Sequence, residues 1–209
     1  MTKIFNDVVG VNPITVIEAI YSRRSVRDFT DEIVDSEILT TLFNAAVQAP
    51  TAMHEEPCVF SVIQDPSLLH RISQDAKQLI TSKNIEHSSF SKHALEIIQS
   101  PKFDVFYNSN TLVLICSKFP GQFAQADCWL AAQNLMLAAY ANGLGSCVVG
   151  FAVEILNTKS WKHELSISEE IEVIAPIILG KPSHISPQVA RKPVEIISWK
   201  SLALEKGNC

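Results

Sequence analysis

The stretch from Asp127 to Asn142 limits what this chain can fold into more than any other. It has helical spacing, yet beyond Gln133 and Asn134 it carries little that is polar on any face. A helix at a protein surface keeps a polar stripe, so a helix apolar all round is buried on every side. Two arrangements meet that demand: the helix runs through the chain's own core, or it is buried partly against a second subunit. The pattern leaves both open. Its most apolar part, Trp129 to Ala141, is too short to cross a bilayer.

A chain of 209 residues can supply a core large enough for such a helix. The length fits one domain, residues 1–209, and no repeat, linker or low-complexity segment divides it. Hydrophobic residues make up 47% and charged residues 19%, an ordinary globular balance. The net charge of −5 leaves no basic footprint for nucleic acid and no polybasic membrane patch. The N-terminus has no apolar stretch long enough for a signal peptide, so the protein is expected to be soluble and cytoplasmic.

Five cysteines stand far apart with no CxxC, which reads as core thiols in a reducing compartment. The six histidines are scattered too, and no metal site is expected.

Around the central segment, helices and strands mix without a regular βαβ rhythm. Asn12-Pro13 is expected to start a helix with Val16, Ile17, Ile20 and Tyr21 on one face. Asp35 or Ser36 caps a second, with Ile38, Leu39, Leu42, Phe43 and Ala46 sharing a face; it stops at Gln48-Ala49-Pro50. The loop Thr51 to Glu56 leads to a strand, Cys58 to Ile63. Amphipathic helices are predicted near 66–79 and 87–99, and a buried strand over Leu112 to Cys116. Asn142-Gly143 ends the central helix with residues suited to a left-handed cap. Gly145 to Gly150 reads as a short strand or turn, Ala152 to Trp161 as helix, and Ile171 to Leu179 as a strand. The fold class is α+β, a sheet covered by helices.

The chemistry is narrowed first by what is missing. There is no GxGxxG after a strand, no GxxxxGK[ST] and no GxSxG. The first positive signal is Arg23-Arg24-Ser25-Val26-Arg27, just after a predicted helix end. Guanidinium forks match phosphate oxygens two at a time, and a serine hydroxyl adds another bond. Alone, such a run fits a solvated basic face better than a site. A late basic pair, Arg191-Lys192, means little by itself and closes the far side of a phosphate only if the fold brings it there.

Taken in order, these segments resemble the nitroreductase family of flavoproteins over nearly the whole chain. The resemblance rests on Arg23 to Arg27 followed by Phe29, and on Ala49-Pro50-Thr51-Ala52-Met53-His54-Glu55-Glu56-Pro57. It rests equally on Asp127 with Ala131 to Leu135, Leu137 and Gly143 to Cys147, and on Gly180-Lys181-Pro182 with Arg191-Lys192-Pro193. It implies a three-layer α/β/α fold with a central, mostly antiparallel sheet, and an intertwined homodimer with exchanged C-terminal arms. It further implies FMN at the subunit interface, with the 127–142 helix part of that interface. Carried over by position, Arg23, Arg24, Ser25 and Arg27 would hold the phosphate and ribityl chain, and Arg191 would complete the phosphate site. Pro50, Thr51, Ala52, Met53 and His54 would line the flavin from the partner subunit, with Glu56 in the same loop. Val148, Val149 and Gly150 would cover the ring edge.

The implied activity is an oxidoreductase cycle. NAD(P)H gives hydride to the flavin, and a small electron-poor acceptor, such as a nitroaromatic or a quinone, takes it in a ping-pong exchange. No side chain is named as catalytic. Two alternatives share the fold: a specialised flavin reductase or dehalogenase, and a flavin-binding dimer without turnover. A thiol–histidine hydrolase using Cys147 or Cys58 is a third, without a sequence-local base.

The chain also departs from the family's pattern. His54, Glu56 and Cys58 stand where many members have Asn, Gln and Trp. A carboxylate beside the ring disfavours an anionic reduced flavin, so Glu56 either turns to a cation or lowers the potential. His54 fits a loop hydrogen bond better than a proton donor. Cys58 reads as a core change at the strand start.

Overall fold

The computed structural model describes residues 14–82 and 92–201, with only the backbone of 92–95. The expected start at Asn12-Pro13 lies outside them. Its element order is α1 (Val16–Ser22), α2 (Ser36–Ala46), β1 (Cys58–Ile63), α3 (Pro66–Ser82), α4 (Lys92–Gln99), β2 (Thr111–Ser117), α5 (Gln122–Ala141), β3 (Gly145–Val148), α6 (Val153–Leu156), α7 (Lys159–Glu164) and β4 (Glu172–Gly180).

Local chemistry accounts for most of these bounds. The Thr15 hydroxyl accepts from the Glu18 N–H and starts α1. Asp35 accepts from Glu37 N–H at 2.7 Å and starts α2, as its sequence signals. Gly143, at φ 74°, turns the chain out of α5 in the left-handed region that glycine tolerates. The predicted helix from Ala152 to Trp161 is instead two short ones. Asn157 interrupts it because its side-chain amide pairs with Val173 on β4, donating to the carbonyl at 2.8 Å and accepting from the N–H at 2.9 Å.

The four strands form one sheet in the order β1-β2-β4-β3, antiparallel throughout. Central strands β2 and β4 are buried on both faces, which is why they read as unbroken apolar runs. Val113, Ile115, Ile177 and Leu179 face a core with α2 and α5. Leu112, Leu114 and Ile178 face a second core with α3, α6 and α7. The molecule is three layers, α/β/α.

Helix α5 lies on the first face, where Cys128, Ala131, Ala132, Leu135 and Ala139 are buried. Small side chains let it sit close to the sheet. It begins at Gln122, before the expected Asp127. Burial on every side does not hold within one chain: Trp129 and Leu130 are each 45% exposed, and Phe123 more so. The apolar face of α1, with Val16, Ile17, Ile20 and Tyr21, is likewise uncovered. After β4 and the bridge at Pro182, residues 183–200 run without helix or strand, exposing Ile185, Val194, Ile197 and Trp199. No described helix is long and apolar enough to cross a membrane.

Candidate functional site

The arginine run is held by the edge of the sheet. Helix α1 ends at Ser22, and the Arg24 Nη1 donates back to the carbonyls of Tyr21 at 2.7 Å and Arg23 at 2.8 Å. The chain then extends along β3, the outer strand. Ser25 bridges Ser146 in parallel, and Val26 N–H donates to the Ser146 carbonyl at 3.1 Å. Two glycines make the approach possible. A Cβ on Gly145 would lie 2.7 Å from Val26 Cβ, and one on Gly180 would lie 2.8 Å from the Phe29 ring. The run thus covers an edge strand whose unpaired groups would otherwise be open to another chain.

From the other end of the sequence, the segment after β4 returns to this place. Ser183 N–H donates to the Asp28 carbonyl at 3.2 Å, and His184 Nδ1 lies 3.1 Å from Asp28 Oδ2. Between the two segments opens a cavity of about 470 Å³, lined by Arg23, Arg24, Ser25, Arg27, Asp28, His184, Ser186, Pro187, Val189 and Arg191.

Its electrostatics are lopsided. Among the described residues, Arg23, Arg27 and Arg191 have no carboxylate partner; Asp28, the one carboxylate on the wall, faces His184. Arg27 stands 5.7 Å from the Tyr107 ring centroid. Burial pushes the Arg23 pKa down, and the positive charges of Arg191 and Arg24 push the same way, against Cys147. Crowded, unpaired cations of this kind are relieved by an anion. Two buried polar atoms in this region also lack a partner among the described residues, Arg24 Nε and, on β3 beside Ser25, Ser146 Oγ. The residues present therefore fit a phosphate-bearing group.

The rest of the expected site lies apart from this wall. Ala52–His54 forms a single 3₁₀ turn whose Ala52 N–H donates to Asp127 Oδ2 at 3.0 Å. Met53, His54 and Glu56 adopt left-handed backbone at φ 53°, 60° and 46°, uncommon for residues with a side chain. Non-glycine residues held there mark a constrained loop. Met53 is 90% exposed, and His54, Glu55 and Glu56 also face solvent. The expected loop hydrogen bond of the His54 ring is absent among the described residues. Lys118 Nζ meets the Glu56 backbone carbonyl at 3.1 Å and not its carboxylate. Val148 and Val149 lie at the far end of β3, packed in the two cores, and Gly150 opens the following turn at the surface.

Cys147 does not support a hydrolase. It is buried, its thiol donates to the Val148 carbonyl at 3.4 Å, and burial pushes its pKa up despite Arg27, Ser25 and Arg23. Among the described residues no group of three or more His, Cys, Asp or Glu forms a metal cluster. Sequence reasoning missed Asp28, His184, Ser146 and the bond from Asp127. Only Asp28, beside the arginine run, had a local signal.

The structure is a three-layer α+β unit with an arginine-rich cavity at one sheet edge whose charge suits an anionic ligand. The chain belongs to the nitroreductase family, whose model matches residues 20–181. It is 32% identical to Protein DrgA of Synechocystis over 213 residues, 92% of this chain and 97% of that protein. It is 24% identical to the FMN reductase (NADPH) of Bacillus subtilis, over 87% of this chain and 71% of that one. In fold it is similar to a nitroreductase with bound FMN from Bacteroides fragilis, with a TM-score of 0.75 and 23% identity over 90% of this chain and 98% of that one.

Proposed function

We propose that this chain is an FMN-dependent oxidoreductase that draws hydride from NADH or NADPH and delivers it to small electron-poor acceptors, nitroaromatics or quinones among them. The observation that carries the reading is the meeting of Arg23, Arg24, Ser25 and Arg27 with Arg191 around one cavity whose only lining carboxylate, Asp28, faces His184 and not an arginine. The family and the relatives named for FMN support it.

In this reading Arg23 and Arg191 would hold the phosphate, and the Ser25 hydroxyl would add a hydrogen bond. Arg24 holds the end of α1 and offers its unpartnered Nε, and Arg27 reaches toward the ribityl chain. FMN, when bound, would supply the two-electron redox chemistry that no side chain here offers. Pro50, Thr51, Ala52, Met53, His54 and Glu56 line the ring from the partner subunit, and Val148, Val149 and Gly150 cover its edge. No side chain is assigned a proton transfer.

The whole chain acts as one domain, and two copies form the working unit. The uncovered apolar faces of α1 and α5 and the apolar arm after Pro182 support that, since monomers rarely expose such contiguous patches.

The test is direct. Purified protein is expected to be yellow, to release FMN on heating, and to oxidise NADH or NADPH in the presence of a nitroaromatic or quinone with ping-pong kinetics. A colourless protein that takes up no FMN overturns the reading; flavin without donor oxidation overturns the activity.

A further inference from the structure

We propose that Cys58 and Cys128 form a dithiol that a hydroperoxide converts to a disulfide, a redox site separate from the phosphate cavity.

The two residues are 70 positions apart in sequence, yet their Sγ atoms lie 3.4 Å apart. Cys58 opens β1, and Cys128 lies inside α5, so both are carried on regular elements. A disulfide needs about 2.05 Å between sulfurs, a closure of roughly 1.3 Å that small side-chain rotations can supply. The pair belongs to one face of the sheet. Cys116 and Cys147 belong to the other core, and from Cys116 only the backbone carbonyl reaches Cys128, at 3.5 Å.

The two thiols also differ as the chemistry requires. Cys58 is half-buried and open to a small oxidant, and Cys128 is fully buried. The hydrogen bond between the two thiols pulls the Cys58 pKa down, with Lys118 helping and burial and Asp127 opposing. The same bond, together with burial, pushes Cys128 up. Cys58 is thus the thiol a small oxidant reaches and the more readily ionised of the two, and Cys128 the buried partner beside it. Accessible, low-pKa thiols next to a second cysteine are the ones that oxidise reversibly.

The steps balance. The Cys58 thiolate attacks one peroxide oxygen, the O–O bond breaks, and the alcohol (water, from hydrogen peroxide) leaves with the proton that Cys58 had released. The product is a sulfenic acid on Cys58. The Cys128 sulfur then attacks the Cys58 sulfur, the S–S bond forms, and the sulfenic oxygen leaves as water. In sum, two thiols are oxidised by two electrons and one hydroperoxide is reduced to an alcohol and a water. A reducing compartment reverses the bond, so the site is a transient one.

The position gives the bond a consequence. Asp127, next to Cys128, already holds Ala52 N–H at 3.0 Å. A Cys58–Cys128 disulfide ties the other end of the same loop to the same turn of α5. Its effect on a flavin rests on the function proposed above; the disulfide itself does not.

The test uses the full-length protein with hydrogen peroxide as probe. After acid quench and alkylation with N-ethylmaleimide, unreduced peptides are mapped by mass spectrometry. The expected result is one cross-linked peptide pair carrying Cys58 and Cys128, lost on adding dithiothreitol, with Cys116 and Cys147 unoxidised. In Cys128→Ser the cross-link is lost and dimedone traps a sulfenic acid on Cys58. In Cys58→Ser both signals are lost. If Cys128→Ser does not fold, the wild-type map and Cys58→Ser decide. Oxidation of Cys58 without a cross-link, a cross-link to any other cysteine, or a Cys58 that stays reduced while glutathione in the same solution oxidises would each overturn the proposal. None of these outcomes depends on whether FMN binds.

Discussion

Arg23 sits where the charge problem is most acute, half-buried with Arg24 and Arg191 lowering its pKa and no carboxylate partner among the described residues. Replacing Arg23 or Arg191 with Ala removes charge-assisted hydrogen bonds worth about 1.5–3 kcal/mol. FMN affinity is then expected to fall roughly tenfold to a hundredfold, read by quenching of flavin fluorescence in a titration. Fold stability without flavin should drop little or rise, because like charges have been thinned. The buried thiols set a second, independent behaviour. Burial pushes Cys116 from the ordinary 9.0 up to about 12, and Cys147 is raised too. A native pKa above the unfolded one gives stability that is complete below the unfolded value and lost as pH rises through the native value. Urea midpoints are therefore expected to fall as pH climbs from 9.0 toward about 12, and Cys116→Val should flatten that fall. An unchanged slope in the variant would assign the loss to other groups.

At the scale of elements, the loop after α2 and helix α5 act as one piece. Aspartate favours helix N-caps, so Asp127 looks like a start when only neighbours in sequence are read. In the fold it lies buried inside α5, and its carboxylate binds Ala52 N–H in the loop instead. That long-range bond helps a loop with left-handed Met53, His54 and Glu56 keep its shape. Asp127→Ala takes the partner from the part-buried Ala52 N–H, a loss of about 1 kcal/mol. The measurement is urea unfolding together with hydrogen exchange, which should speed up over residues 51–57 and leave β2 unchanged. The break between α6 and α7 is of the same kind. The apolar pattern runs through it, but Asn157 is drawn to β4 across the fold.

At the scale of the whole molecule, the uncovered apolar side of α5 and the extended arm argue for a second copy. Leu130→Glu puts a charge on that side without touching the core. It is expected to turn a dimer into a monomer in sedimentation equilibrium and to lose flavin with it; a flavin-loaded dimer in the variant would place the interface elsewhere.

Most of the helices and strands were legible from the residues, while the three-layer plan came from the family resemblance. Period-2 and period-3.6 apolar patterns report burial within a few residues, and caps such as Asp35 and Gly143 act on their immediate neighbours. The β1 range, Cys58–Ile63, emerged as expected for that reason. The pairing order β1-β2-β4-β3 was not legible, since strand partners are chosen by packing across the whole chain. The arginine run carried its chemistry in its own residues, yet alone it fitted a solvated basic face better than a site. Its meeting with Arg191, its seat on Gly145 and Gly180, and the Cys58–Cys128 contact exist only once the sheet has formed. What the sequence determined was the set of local preferences, because these depend on each residue and its near neighbours. What tertiary structure alone decided was which distant groups share one small volume, because charge, hydrogen bonds and thiol chemistry act over ångströms in space and not along the chain.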